Sequence, residues 1–527
     1  MSESGSRTSS TASAEALFIE ELTNLCDSES LSEDGLRQLI QRHELTSNHT
    51  RRMIVSDYDY FFHAACDNEG VNEEIIRCLL EYFPEAAKAT DEDEWLPLHW
   101  ACNNKNLTIG MVRLLIDAYP ASGGSTTKNG LTPLHYLCQN GELNETAAIQ
   151  ILNILIEKYP EAVRQASNGG SLPIHFACLS SSPEFCLVLI EAYPGCEQVI
   201  DDVGDLPFHI SCAKWDFSTV KRLYYLFPNA INRTTEEGLY PIHLAITGRN
   251  ANDADTAMAA VEIVKFLLAC DPDVITQDID GQSLLHFACG NEYQNIEAGI
   301  QIIKTIFDAH PEAIEHHRIA TDFHSFDQQV QAFIIGELEY ARQAKDHSVM
   351  TTPDDNGRLP LHTALQNNVR LGSIKLLVKG NSSAIRNTDN NFAMPLHIAC
   401  EYHDCAGVVQ YLIELHTLTL EAVDREGNTV LHYACRGAKY ENIALLLEKY
   451  DAVSVSKRNV DGKLPIELLW ENNVVEDRES VEYTDSVFRL LRAHPETLTN
   501  VGADDVQTAL ASCSGHIGNG KRRKFGN

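Results

Sequence analysis

Apolar and polar positions along the chain follow a pattern that returns about every 35 residues. Each repeat holds a segment with apolar residues at i, i+3, i+4 and i+7, which is typical of an amphipathic helix. Two examples are MVRLLIDAYP, which ends at Pro120, and ILNILIEKYP, which ends at Pro160. Proline ends such a helix because it has no amide donor and disfavours helix in the residue before it.

A second string, such as LTPLHYLC from Leu131 or SLPIHFAC from Ser171, lies before each of these helices. Its proline suits the first position of a helix, where the missing donor is harmless, so the string predicts a short first helix. One histidine recurs in it, and Glu467 takes the same position in the last copy. The histidines are His63, His99, His135, His175, His209, His243, His286, His362, His397 and His432.

A glycine recurs in the turn before the short helix, where a positive φ costs it nothing. Each unit therefore reads as a turn, a short first helix and a longer second helix. The glycines are Gly130, Gly170, Gly204, Gly238, Gly281, Gly357, Gly427 and Gly462.

These residues resemble the ankyrin repeat, whose mark is T-P-L-H-x-A at a period near 33 residues. The resemblance runs from about Asp57 to Leu498 and implies an all-α solenoid of about 11–12 helix-turn-helix repeats with hairpin-like loops. The chain departs from the family in one regular way. The threonine of the motif remains only at Thr132 and Thr429, so the threonine–histidine hydrogen bond usual in the family is lost from most units.

The repeats divide the chain into segments. We expect a disordered Ser/Thr-rich lead over 1–14, a helical cap over 15–56, seven repeats over 57–314, four repeats over 355–498 and a flexible tail over 499–527. The stretch 315–354 is an insert or a degenerate repeat around His324, and from Asp327 it also reads as one longer helix.

Net charge indicates the class of partner, and cysteine content bears on whether disulfides form. With 41 Lys and Arg against 75 Asp and Glu, the net charge is −34, which argues against nucleic acid and favours a protein partner with a basic segment. No apolar run reaches the length of a membrane span, and the N-terminus lacks a signal sequence, so we expect a cytoplasmic monomer without membrane insertion. In a reducing compartment the 15 cysteines are not a disulfide framework.

The His-x-x-Cys pairs, such as His99 with Cys102, invite a zinc hypothesis. Each unit supplies only two ligands, and equivalent pairs lie about 10 Å apart by helix-packing distances, so we expect the histidine to order the turn and the cysteine to fill the core. The chain has no phosphate-binding loop, zinc-protease or nucleophile-elbow motif. We therefore expect no catalytic residues, no metal and no cofactor.

The resemblance implies that hairpin tips and the inner face of the first helices carry partner contacts. The aromatics that follow the repeat histidine, such as Tyr136, are instead expected in the core between units. The candidate partner-binding residues are Trp95, Asn103, Asn104, Leu131, Gln139, Asn140, Lys214, Trp215, Tyr402, His403, Arg425 and Arg436.

The sequence thus predicts a non-catalytic scaffold or adaptor that binds another protein. Two alternatives stay open: a metal-binding regulator or enzyme that uses the repeat His, Cys and Asp residues, and an adaptor that anchors a membrane or cytoskeletal protein. The basic run Lys521-Arg522-Arg523-Lys524 is a candidate nuclear-import address.

Overall fold

The computed structural model describes residues 7–43, 60–248, 254–279, 281–449, 455–472 and 480–493, with only the backbone given for 7–16 and 254–256. Regular structure in these residues is helical, apart from two isolated antiparallel bridges, Ile279 with Gln282 and Val423 with Thr429. The chain forms two compact units, Met1–Ile302 and Ile303–Asn527. The all-α solenoid prediction is confirmed.

The first unit is a series of helix pairs. Its helices are α1 Arg7–Cys26, α2 Glu33–Arg42, α3 Phe61–Asp67, α4 Glu73–Tyr82, α5 Pro97–Asn103, α6 Ile109–Ala118, α7 Pro133–Gln139, α8 Glu145–Lys158, α9 Pro173–Ser180, α10 Pro183–Ala192, α11 Pro207–Lys214, α12 Phe217–Leu226, α13 Pro241–Thr247, α14 Ala254–Cys270, α15 Leu284–Gly290 and α16 Ile296–Ala309, whose last residues belong to the second unit.

The second unit continues the pattern after one irregular stretch. Its remaining helices are α17 His317–Asp322, α18 Gln328–Lys345, α19 His347–Thr351, α20 Pro360–Gln366, α21 Leu371–Gly380, α22 Pro395–Tyr402, α23 Ala406–Leu415, α24 Val430–Arg436, α25 Tyr440–Lys449, α26 Pro465–Glu471 and α27 Val481–Ala493.

Proline and glycine lie where the pattern predicts. First helices such as α5 and α7 begin at their proline, and prolines after second helices open a short 3-10 turn, as in Pro84–Lys88 and Pro160–Arg164. All eight predicted turn glycines have φ between +69° and +79°. A side chain is strained in that region, so glycine favours the hairpins that precede these eight first helices.

Backbone hydrogen bonds join successive hairpins. The Lys128 amide donates to the Asp93 carbonyl at 3.0 Å, and the Asn168 amide donates to the Asn129 carbonyl at 2.9 Å. The second unit repeats this with the Arg425 amide on the Asn391 carbonyl at 2.9 Å. The hairpins therefore form a row, and their tips lie side by side within each unit.

The predicted irregular stretch differs from the repeats. A short helix, α17, is followed by the 18-residue α18, which agrees with the longer-helix interpretation. His324 is exposed, whereas the repeat histidines are buried, so it does not take their place in a degenerate repeat. Helix α18 packs against α21, the second helix of the next pair.

The N-terminal helices pack against the helix pair that follows them. Phe18 and Leu22 of α1 and Leu36 of α2 are buried, and α1 packs on α3. Helix α1 begins at Arg7, inside the stretch 1–14 that the sequence predicts as a disordered lead. Adding turns to an existing helix costs far less than nucleating one, so the helix extends into the Ser/Thr-rich stretch.

Helix length and polarity also bear on membranes. Among the described residues, no helix is both long and apolar enough to cross a bilayer.

Candidate functional site

Several repeat histidines join their first helix to the hairpin that follows it. In α5, the Leu96 amide donates to His99 Nδ1 at 2.9 Å, and His99 Nε2 lies 3.2 Å from the Ser125 carbonyl. Because a carbonyl can only accept, Nε2 carries the proton and Nδ1 is the acceptor. The same two contacts recur at His175 and His209.

Burial keeps these histidines neutral. It lowers the pKa of His99, His135, His209 and His397 to about 4, because the charged ring would lose its hydration. A neutral ring with one donor and one acceptor is the form that both hydrogen bonds require. The predicted turn-ordering role is confirmed for His99, His135 and His209, which make both contacts.

Glu467 takes the histidine position in the last pair for a simple reason. Its carboxylate accepts the Leu464 amide at 2.6 Å, as the histidine Nδ1 does in the other units. A carboxylate cannot donate onward to a carbonyl. Glu467 therefore keeps the hydrogen bond within its own pair and lacks the second one that His99 makes to the next hairpin.

The repeat cysteines fill the core. Cys102, Cys138 and Cys212 are fully or almost fully buried, and burial raises the pKa of the Cys289 thiol to about 12. A neutral thiol is neither a metal ligand nor a nucleophile. Over the described ranges, no three His, Cys, Asp or Glu side chains come together as a metal site would require.

Two of the candidate partner-binding residues, both asparagines, instead join neighbouring helix pairs. The Asn104 amide donates to the Cys66 and Asn68 carbonyls of the preceding pair at 2.9 and 3.0 Å. Asn140 does the same to Cys102 and Asn104, both at 3.0 Å. These side chains join neighbouring units, so their amides are not available to a partner.

Trp215 and His403 are also used internally. Trp215 has φ of 63°, its Nε1 donates to the Ala245 carbonyl at 2.7 Å, and its ring covers Gly248. His403 is 2% exposed and contacts the Val369 carbonyl through Nε2 at 2.8 Å. Their neighbours Lys214 and Tyr402 are exposed.

Trp95 belongs to an aromatic cluster on the hairpin side of the first unit. Its ring lies 4.1 Å from Tyr136 and 4.8 Å from Trp100, centroid to centroid. Trp100 in turn meets the exposed Tyr60 edge-on at 5.8 Å. Trp95 and Trp100 are half-buried, so the cluster presents part of its aromatic surface to solvent. Among the other candidates, Leu131 is half-buried, and Asn103 and Gln139 are exposed.

The aromatics after the repeat histidine lie between units, as predicted. Tyr136 meets His99 edge-on at 5.7 Å, Phe176 meets His135 at 5.4 Å, and Tyr433 meets His397 at 5.0 Å. These contacts add aromatic packing to the hydrogen bonds between neighbouring pairs.

Arg436 is held in place within the second unit. It makes two hydrogen bonds to the Glu401 carboxylate, at 2.8 and 2.7 Å, and its guanidinium lies 4.1 Å from the Tyr433 ring centroid. This paired geometry joins α24 to α22 and neutralises the charge. Arg436 therefore has a structural role, in joining these two helices.

Arg425 lies beside a residue that the sequence analysis missed. Its guanidinium is 5.0 Å from the centroid of the Phe392 ring, which is 52% exposed. Phe392 takes the turn-glycine position with φ of 60°. The left-handed region costs a bulky residue about 1–2 kcal/mol, so strain is stored at this tip. The signal was available, because phenylalanine fills the glycine position in FAMPLH.

The geometry above agrees with the comparison to known families. The family model described as ankyrin repeats matches the chain in three copies, over residues 61–165, 109–202 and 369–459. A comparison with curated protein sequences gives no match. The matched residues contain buried histidines such as His99, hairpin glycines such as Gly130 and paired helices. The chain therefore contains ankyrin repeats, over residues 61–202 and 369–459.

Proposed function

We propose that the chain is a non-catalytic scaffold or adaptor that holds a partner protein against its hairpin tips and the adjoining faces of its first helices, here called the hairpin surface. Ankyrin repeats are in general modules for protein–protein interaction. The finer role of scaffold or adaptor, in the cytoplasm, is our inference from charge and surface.

The strained tip at Phe392 carries this proposal. Glycine would relieve the strain at this position, yet the chain places there a large ring that is half exposed and stacked by Arg425. Aromatic and arginine side chains dominate the binding energy of protein interfaces. Strain kept at an exposed aromatic residue supports a role in binding rather than in folding.

The burial of the repeat histidines and cysteines supports a non-enzymatic role. The side chains that could do chemistry, the repeat histidines and cysteines, are buried and neutral. The histidine hydrogen bonds are made to the chain's own backbone, as at His99 and His175. We propose that the protein is not an enzyme and that its acidic surface favours a partner with a basic segment.

The basic run Lys521-Arg522-Arg523-Lys524 lies outside the described residues. Nuclear import therefore stays a sequence-level hypothesis.

Affinity capture tests the proposal. The tagged full chain is incubated with extract of its own cells, and the bound proteins are compared with those on the double variant Phe392→Ala/Arg425→Ala. The matched control is Tyr225→Ala, which removes an aromatic ring that is 72% exposed on a second helix. We expect the double variant to lose a protein that the control retains. Equal capture by both variants, or no capture by the unaltered chain, would contradict the proposal.

A further inference from the structure

A cavity of about 210 Å³ opens on the hairpin surface of the first unit. Helices α9, α11 and α13 supply its apolar walls through Phe176, Ile210 and Leu244. Two apolar side chains on its rim are exposed, Leu179 at 39% and Val203 at 56%. We call this the anchor cavity.

The volume of the anchor cavity sets the size of the group it can take. An apolar protein cavity of about 150 Å³ binds benzene. The anchor cavity is larger and is lined by one aromatic ring and by the His175 and His209 imidazoles. Aromatic side chains favour such edge-on surroundings, so a ring fills this space better than a short aliphatic chain does.

Charge at one end of the anchor cavity limits what flanks that ring. Asp201 and Asp205 line it, and Asp202 and Glu236 are exposed on the two adjoining hairpins, whose backbones are joined by the Glu236 amide donating to the Val203 carbonyl at 3.1 Å. Within the described residues, neither Asp202 nor Glu236 has a Lys, Arg or His nitrogen within 4.0 Å. Their charges are therefore free to meet a cation from outside.

A cationic residue marks the opposite end. Lys214 lines the anchor cavity at the last residue of α11, while the hairpin carboxylates precede the first. At a rise of about 1.5 Å per residue, the two ends of this eight-residue helix lie roughly 10 Å apart. The cavity is thus acidic at the hairpin end and basic at the other, which gives a bound segment one preferred direction.

We propose that the anchor cavity binds an aromatic side chain of a partner protein, with an adjacent Lys or Arg of that partner on Asp202 and Glu236. This inference rests on the proposed function and gives the partner's recognition element a chemistry: an aromatic residue with a basic neighbour. The apolar walls supply affinity, and the carboxylates supply direction and rate of association.

Selection from a random peptide library displayed on phage, with the full chain as bait, tests this chemistry. We expect the enriched peptides to share an aromatic residue within two or three positions of Lys or Arg. The affinity of a fluorescently labelled enriched peptide is then measured for the unaltered chain and for each variant. Leu179→Gln on the rim should weaken binding about tenfold, because the ring loses an apolar contact and meets an amide.

Charge variants test the acidic and the basic end of the anchor cavity independently. Asp202→Lys/Glu236→Lys should weaken binding by about tenfold or more at low salt, whereas Lys214→Glu, which adds a negative charge to the same cavity, should strengthen it. The matched apolar control is Leu418→Gln, an exposed leucine of the second unit. Circular dichroism checks that each variant is folded.

Distinct results would overturn the inference. Peptides without the aromatic–basic pair, equal weakening by Leu418→Gln and Leu179→Gln, or an empty selection would each show that the anchor cavity does not recognise this element. The proposed function would survive any of these if affinity capture still depended on Phe392 and Arg425, so the two failures are distinguishable.

Discussion

Residues 95–247 and residues 303–380 join their helix pairs by different contacts. In the first region the buried links are neutral: His99 is fully buried between Leu96 and Ser125, and the Asn104 amide reaches back to Cys66. Ion pairs between its helix pairs, such as Arg222 with Glu184, lie at the exposed surface. In the second region the links are charged and partly exposed. Arg370 there reaches Asp308 at 3.2 Å and Glu337 at 4.0 Å, with 29% of its side chain exposed.

The difference follows from repetition. A regular unit offers each neighbour the same donor, acceptor and aromatic edge, so the links need no charge. Where α18 stands in place of a regular pair, those groups are missing, and ion pairs join α21 to the end of α16 and to α18. The first helix after this stretch shows the change, because Thr363 is exposed at the position where Tyr136 and Tyr433 are buried.

Replacing one histidine by alanine in each region should give the largest difference in the free energy of unfolding. His99→Ala leaves the Leu96 amide and the Ser125 carbonyl without partners and opens a cavity, which should lower the free energy of unfolding of the first unit by about 2–4 kcal/mol. His324→Ala removes an exposed ring and should change stability by less than about 0.5 kcal/mol. Urea unfolding with hydrogen exchange assigns each loss to its unit.

An equal loss in both histidine variants would erase the distinction between the two regions. A stable His99→Ala variant would show that the hydrogen bonds of the framework are replaceable by water.

An intermediate effect is expected at the charged link. Arg370→Met strips Asp308 and Glu337 of their shared cation, and burial already raises the pKa of both carboxyls despite that cation. We expect a loss of about 1–3 kcal/mol in the second unit. The control Arg342→Met, whose side chain is 80% exposed beside Glu339, should cost less than about 0.5 kcal/mol. Thermal unfolding of both variants measures these losses of stability. Comparable losses would show that Arg370 acts only as a surface charge.

The smallest effect should appear at the strained tip. Phe392→Gly removes a left-handed bulky residue and should raise stability by about 0.5–1 kcal/mol after the entropy of glycine is counted. The reciprocal change Gly357→Phe, at the same turn position with φ of 75°, should destabilise. A lower melting temperature for Phe392→Gly would show that the ring serves folding and would weaken its assignment to binding.

Sequence periodicity predicts the framework well because its parts are local. Pro97 opens a helix and Gly130 turns a hairpin through their own backbone preferences, and His99 bonds within one unit of its position. The asparagine five residues after the histidine recurs at Asn68, Asn104 and Asn140, and it could have been recognised as structural from that recurrence.

Other features have no periodic signal. The ion pair of Arg370 with Asp308 spans 62 residues across an irregular stretch, so the repeat spacing does not predict it. The anchor cavity depends on how the side chains of three first helices and one hairpin leave space between them. Such space is a property of packing, so it became visible only in the structure.

Repeat histidines such as His99 and His135 are neutral and hydrogen-bond their first helix to the neighbouring hairpin. Burial lowers the pKa of rings such as His99 and His135 to about 4, below the unfolded value near 6.5. Their contribution to stability is therefore complete above about pH 6.5 and is lost as the pH falls towards about 4, because the unfolded chain takes up the protons first.

The most direct measurement is NMR of the ring nitrogens in full-length protein with isotope-labelled histidine, from about pH 7.5 to about pH 5.5, with and without added zinc. We expect His99, His135 and His209 to carry their proton on Nε2, not to titrate in this range and not to respond to zinc. Rings of these residues that titrate near pH 6.5, or that shift when zinc is added, would contradict this expectation.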